Sequence, residues 1–81
     1  EYGVIIVDAG LAETAAYELK DPAANTHIRF IRDVEGACEA AKGLVADGVT
    51  FIELCSWFDA EKTNAVIKAI DCQVPVGSCG L

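Results

Sequence analysis

The chain has 81 residues, of which 53% are hydrophobic, and thirteen acidic residues against six basic ones give a net charge of −7. This length suits a single domain over residues 1–81, and the negative charge argues against nucleic acid and anionic membranes as partners. No apolar run approaches the length of a bilayer span and the first residues lack a signal-peptide pattern, so we expect a cytoplasmic protein.

The first predicted element is a buried strand. Residues 2–8 form a continuous run rich in β-branched side chains, which is typical of a strand covered on both faces. Leucine and alanine then recur at helical spacing over residues 11–19, and Pro22 ends the pattern because proline has no backbone N–H. The sequence therefore predicts a helix after the first strand.

Two more helices and three more strands are predicted in the rest of the chain. Asp33 and Asp59 each precede an apolar pattern of helical period, and aspartate is a favoured N-cap residue. Residues 27–32 alternate apolar and charged side chains, which favours an edge strand. The second, third and fourth strands are predicted over residues 27–32, 49–55 and 74–77.

Strands that alternate with helices indicate a parallel sheet with right-handed crossovers. We expect an α/β fold, flavodoxin-like or half-Rossmann-like, with a four-stranded, mostly parallel sheet in the order 2-1-3-4 and three helices. In that order the crossovers leave half of one sheet face uncovered. Because the chain is also rich in apolar residues, we expect a homo-oligomer, most simply a dimer.

Open parallel sheets bind ligands at the carboxyl ends of their strands. Three predicted strands end in polar or thiol side chains, so we expect a site for a small molecule or an anion at this edge. The candidate residues are Asp8, Cys55, Ser56, Trp57, Ser78 and Cys79. Trp57 falls in a loop, where a large aromatic ring is either the lid of a pocket or an interface anchor.

Cys55 has two interpretations. A helix N-terminus can lower the pKa of a nearby thiol, and the helix that Asp59 caps begins a few residues after Cys55. Alternatively, Cys55 fills the core as a small hydrophobic residue, which we favour. The four cysteines fall inside periodic elements and not in a loop-rich scaffold, so we expect reduced thiols. They also lack the close pairs of a zinc site, so we expect no metal and no cofactor.

Glu53 is a carboxylate inside an otherwise apolar strand. Its side chain points away from the face of Ile52 and Leu54. It is therefore exposed on the uncovered sheet face, paired with a basic residue of another subunit such as Arg29 or Arg32, or functional.

One pattern in the second half of the chain is specific enough to suggest a family. Its parts are residues 35–42, 48–55 and 74–77, and the most specific part is the strand end Glu53-Leu54-Cys55 with Phe58 three residues on. From about Ile31 to Gly77 the chain resembles a bacterial family of small α/β proteins known only as a domain of unknown function. The resemblance supports the fold and the oligomer but implies no activity.

Three functions remain open on the sequence alone. The first is a non-enzymatic oligomeric module that binds a small ligand or has a regulatory role, with its site at the carboxyl ends of the strands. The second is a small enzyme that uses Cys55 as nucleophile or Asp8 as acid or base, with its site completed at a subunit interface. The third is a purely structural self-association module. The lack of an evident Cys and His pair favours the first.

Overall fold

The computed structural model describes residues 1–7, 15–20 and 25–78, and these form five strands and two helices. In chain order the elements are β1 (Tyr2–Val7), β2 (Ala15–Lys20), β3 (Asn25–Ile31), α1 (Val34–Ala46), β4 (Ile52–Leu54), α2 (Ala60–Ala69) and β5 (Val76–Ser78). The strands form one mixed sheet in the order β2-β3-β1-β4-β5. The last four in that order run parallel, whereas β2 pairs antiparallel with β3 at one edge.

The predicted sheet of four strands in the order 2-1-3-4, with three helices, is wrong. The second half of the predicted helix over residues 11–19 is the strand β2 instead, and residues 8–14 lie outside the described chain. The helical pattern rested mainly on alanines, which fit either structure. In β2 the apolar Tyr17 and Leu19 alternate with Glu18 and Lys20, and pairing with β3 satisfies the backbone groups of the segment.

Both helices begin at aspartate caps. The Asp33 carboxylate accepts a hydrogen bond from the Gly36 backbone N–H at 2.7 Å, and Asp59 accepts one from the Lys62 N–H at 2.9 Å. The positive end of each helix therefore already faces a carboxylate of its own chain. Within the described residues, neither helix is long and apolar enough to cross a bilayer.

Both helices lie on the same side of the sheet, where they pack against each other. The connections β3-α1-β4 and β4-α2-β5 move in one direction across the sheet, so right-handed crossovers place both helices on one face. β1 reaches β3 through the β2 hairpin, which supplies no described helix for the other face. The buried core on the helix side consists of Ile5, Ile31, Ala37, Ala41, Leu44, Val49, Ile52, Leu54, Phe58, Val66 and Ile70.

Candidate functional site

The predicted site at the carboxyl ends of the strands is only partly described. Asp8 and Cys79 lie outside the described residues, and Ser78 is described by its backbone, which pairs with Leu54 in the parallel ladder. β1, β4 and β5 are neighbours and parallel, so their carboxyl ends do meet at one edge. The remaining candidates are Cys55, Ser56 and Trp57, the three residues that follow β4.

Cys55 is fixed to the end of β1 by two hydrogen bonds. Its backbone N–H donates to the Ile5 carbonyl at 3.2 Å, and its sulfur accepts from the Val7 N–H at 3.5 Å. The side chain is half-buried and packs against the core. The described hydrogen-bond donor to the thiol is therefore the Val7 amide of β1. The N-terminus of α2 is capped by the Asp59 carboxylate instead. The geometry favours the structural interpretation of Cys55.

Ser56 and Trp57 form the exposed turn between β4 and α2. The Phe58 N–H closes this turn by donating to the Cys55 carbonyl at 3.1 Å. The Trp57 ring, 37% exposed, meets Phe58 edge to face at 5.0 Å, and the Lys62 ammonium lies 4.4 Å from its centroid. The ring therefore packs over the first turn of α2 and keeps one accessible side next to a positive charge.

A cleft of about 330 Å³ lies between the β2–β3 hairpin and α1, where the sequence predicted no site. Its lining residues are Ala15, Ala16, Arg29, Phe30, Ile31, Gly36, Glu39 and Ala40. The guanidinium of Arg29 is already engaged by Glu18 at 2.8 Å and approaches Asp47 at 3.8 Å. Small side chains and paired charges make this cleft a packing gap with little power to select a ligand.

His27 lies between two carboxylates at the amino end of β3. Its Nε2 is 2.5 Å from Glu1 Oε1, and its Nδ1 faces the carboxylate of Glu18. The pKa of the Glu1 carboxyl is lowered, first by the hydrogen bond from Asn25 and then by the one from His27. These contacts hold the β2–β3 hairpin against the start of β1. β3 lies between β2 and β1, so the prediction of an edge strand over residues 27–32 is wrong.

Three of the four cysteines are described, and all three are free thiols. Burial raises the pKa of the Cys38 thiol, whose sulfur donates to the Ala65 carbonyl at 3.6 Å. Cys72 is exposed just after α2, in a left-handed conformation with φ of 56°. A cysteine at such a position is strained, because left-handed backbone crowds a β-carbon.

The side of the sheet away from the helices, which we call the open face, is almost entirely apolar. Strand register and side-chain alternation assign its members. They are Tyr2, Val4, Ile6, Ala15, Tyr17, Leu19, Thr26, Ile28, Phe30, Phe51, Glu53 and Gly77. The rings of Tyr2 and Phe51 stack at 5.5 Å, and those of Tyr17 and Phe30 meet edge to face at 5.7 Å.

Glu53 is the only charged side chain among the open-face members named above. The Tyr2 hydroxyl donates to its Oε2. Arg29, which the sequence suggested as a partner from another subunit, belongs to the helix side and pairs with Glu18. Sequence alternation predicted the direction of the Glu53 side chain, but the Tyr2 contact depends on the parallel pairing of β1 with β4.

Comparison with known proteins yields a family and no activity. Neither curated proteins nor solved structures give a match to this chain. A family model, described as a family of unknown function (DUF6506), matches residues 1–81. The match spans the whole sequence, so the chain belongs to the DUF6506 family, whose function is unknown.

Proposed function

We propose that this protein is a self-associating module in which two copies pack open face against open face. The observation that carries the proposal is the apolar surface of the described sheet on the side where the described residues form no helix. Eight large apolar side chains lie there: Tyr2, Val4, Ile6, Tyr17, Leu19, Ile28, Phe30 and Phe51. Sheets of β-branched and aromatic residues commonly pack face to face in this way.

The exposed area fits a modest dimer interface. Tyr17 and Leu19 are 57% and 58% exposed and Phe51 is 36% exposed, while the other apolar members are half-buried by their neighbours. From typical side-chain areas, the apolar surface of the face is on the order of 500 Å². Two faces would bury on the order of 1,000 Å², near the lower limit for a specific interface. We therefore expect a reversible dimer that depends on protein concentration.

Charge distribution favours a second copy over an unlike partner. The chain carries a net charge of −7, yet Glu53 is the only charge among the assigned members of the open face. Two such faces can meet without bringing many like charges together, and a two-fold axis makes each face complementary to itself. The remaining acidic surface keeps the outside of the dimer soluble. We place this dimer in the bacterial cytoplasm as part of the same proposal.

Sedimentation equilibrium of the wild type and of Leu19→Glu tests the dimer. Leu19 is largely exposed in the single chain, so a carboxylate there should leave the fold intact and prevent close contact of two faces. The matched control is Ala46→Glu, because Ala46 is exposed at the end of α1 on the opposite side and receives the same charge. We expect dimers for the wild type and the control, and monomers for Leu19→Glu.

Two results would contradict the proposal. One is a wild type that stays monomeric up to millimolar concentration. The other is a dimer that Leu19→Glu and a second variant, Ile28→Glu, both leave unchanged. Circular dichroism of each variant establishes that it is folded before its mass is interpreted.

A second candidate function is anion binding at the carboxyl ends of the strands, by Cys55, Ser56 and Trp57 together with Asp8, Ser78 and Cys79. The Lys62 ammonium beside the accessible Trp57 ring favours it. Trp57 is the only tryptophan, so its fluorescence reports on this edge directly. Titration with inorganic phosphate should change the emission in the wild type and less in Lys62→Gln. Equal responses, or no response, would exclude this candidate.

A further inference from the structure

A small notch interrupts the apolar surface of the open face at the β4–β5 end. We call it the Glu53 notch, and its residues are Tyr2, Phe51, Glu53 and Gly77. Glu53 and Gly77 are register partners on adjacent strands. Gly77 has no side chain, and a β-carbon built there would lie 3.5 Å from the Phe51 ring. The carboxylate thus stands beside an open space whose wall is the edge of an aromatic ring.

The carboxylate of Glu53 is only partly satisfied within the described chain. The Tyr2 hydroxyl donates to Oε2, and the described residues give Oε1 no hydrogen bond or ion pair. Among the described strand residues of this face there is no lysine, arginine or histidine to neutralise it. Covering the face with a second copy would remove this charge from water, and an unpaired buried carboxylate costs several kcal/mol. A cation at this position would therefore stabilise the covered state.

We propose that the Glu53 notch binds a small organic cation that has a flat apolar body, such as an aromatic amine. The ammonium group would donate to Glu53 Oε1, and the apolar body would lie over Gly77 against the Phe51 ring. The edge of the Phe51 ring lines the notch, and the positive edge of one aromatic ring packs well against the face of another, which suits an aromatic body in the ligand. This inference rests on the proposed dimer for its energetic argument, but the notch itself is accessible in the single chain.

The test uses phenethylamine as the probe and phenethyl alcohol as its neutral counterpart of equal shape. Nitrogen-15 NMR spectra of the wild type, Glu53→Gln and Glu61→Gln are recorded during titration with each compound. Glu61 is exposed on α2, on the other side of the sheet, so its variant is a matched control for the lost charge. We expect amide shifts centred on Tyr2, Glu53 and Gly77 with the amine. Glu53→Gln should weaken binding at least about tenfold, and Glu61→Gln should not.

Equal binding of the amine and the alcohol would overturn the inference, as would unchanged amine binding to Glu53→Gln. Shifts centred on residues outside the notch would do the same. Sedimentation of the same samples separates this inference from the proposed dimer. A monomeric wild type that binds the amine refutes the dimer alone. A dimer that ignores the amine refutes the cation site alone.

Discussion

The two faces of the sheet are built from the same kinds of residue but have different surroundings. On the helix side, Ile5 and Leu54 are completely buried under α1 and α2. On the open face, Val4 and Ile6, the sequence neighbours of Ile5, are only half-buried, and Tyr17 is more than half exposed. Local composition therefore does not decide which side chains are covered. The direction of the crossovers decides it, since both helices connect strands in the same sense.

The largest expected effect distinguishes two adjacent isoleucines in β1. Ile5→Ala removes a fully buried side chain, so we expect a loss of about 2 to 5 kcal/mol in the free energy of unfolding. A domain of this size has only about 4 to 12 kcal/mol in total. Ile6→Ala on the open face should cost about 1 kcal/mol or less when the protein is monomeric. Urea unfolding at low protein concentration measures both.

A similar loss for the two variants would show that the open face is covered within the single chain. That result would contradict the contrast between the faces. At high protein concentration Ile6→Ala should become more costly, because the dimer adds its binding free energy to the stability.

The next comparison uses the two glycines that face opposite sides of the sheet. In Gly3→Ala the new β-carbon would lie 3.0 Å from Leu44 Cδ1 and 3.2 Å from Val49 Cγ1, in the packed core. We expect a loss of about 1 to 3 kcal/mol from overpacking. In Gly77→Ala the nearest atom is Phe51 Cζ at an ordinary 3.5 Å, so stability should change by less than about 0.5 kcal/mol.

Thermal unfolding of the two alanine variants checks this prediction. Equal losses would mean that the open face is as tightly packed as the helix side. Gly77→Ala also fills the Glu53 notch, so it should weaken phenethylamine binding although stability is unchanged.

The smallest expected effect is confined to the helix side and depends on pH. The hydrogen bond from the Lys62 backbone N–H lowers the pKa of the Asp59 carboxyl. A carboxyl with a lowered pKa in the folded state stabilises the protein above the pKa of the unfolded chain. This contribution is lost as pH falls through the folded value. Asp59→Asn should flatten that part of the acid dependence, and NMR titration of the Asp59 carboxyl carbon should show the lowered pKa directly.

The sequence carried much of the local structure but not the arrangement of the helices. The apolar run at β1 and the caps Asp33 and Asp59 are strong local signals, because a buried strand and a helix start each demand particular residues. Residues 15–20 misled the prediction, because antiparallel pairing with β3 overrides the helical preference of alanine and leucine. Because the described residues form no third helix, no described element covers the second face of the sheet.

The candidate site was harder to predict than the strands. Cys55 lies at a strand end, as the sequence indicated, but its hydrogen bond to the Val7 amide follows from which strands are neighbours. The Glu53 notch depends on three strands that are far apart in sequence. No single-sequence pattern brings Tyr2, Glu53 and Gly77 together. Only the register of β1, β4 and β5 does so.

The most direct test of the central claim is to detect contacts between two copies at the open face. A mixture of isotope-labelled and unlabelled chains at high concentration allows NMR to record nuclear Overhauser effects between chains only. We predict such effects between the methyl groups of Val4, Ile6 or Ile28 in one copy and aromatic protons of Tyr17 or Phe30 in the other. Effects that map to α1 and α2, or none at concentrations where sedimentation gives a dimer, would contradict the claim.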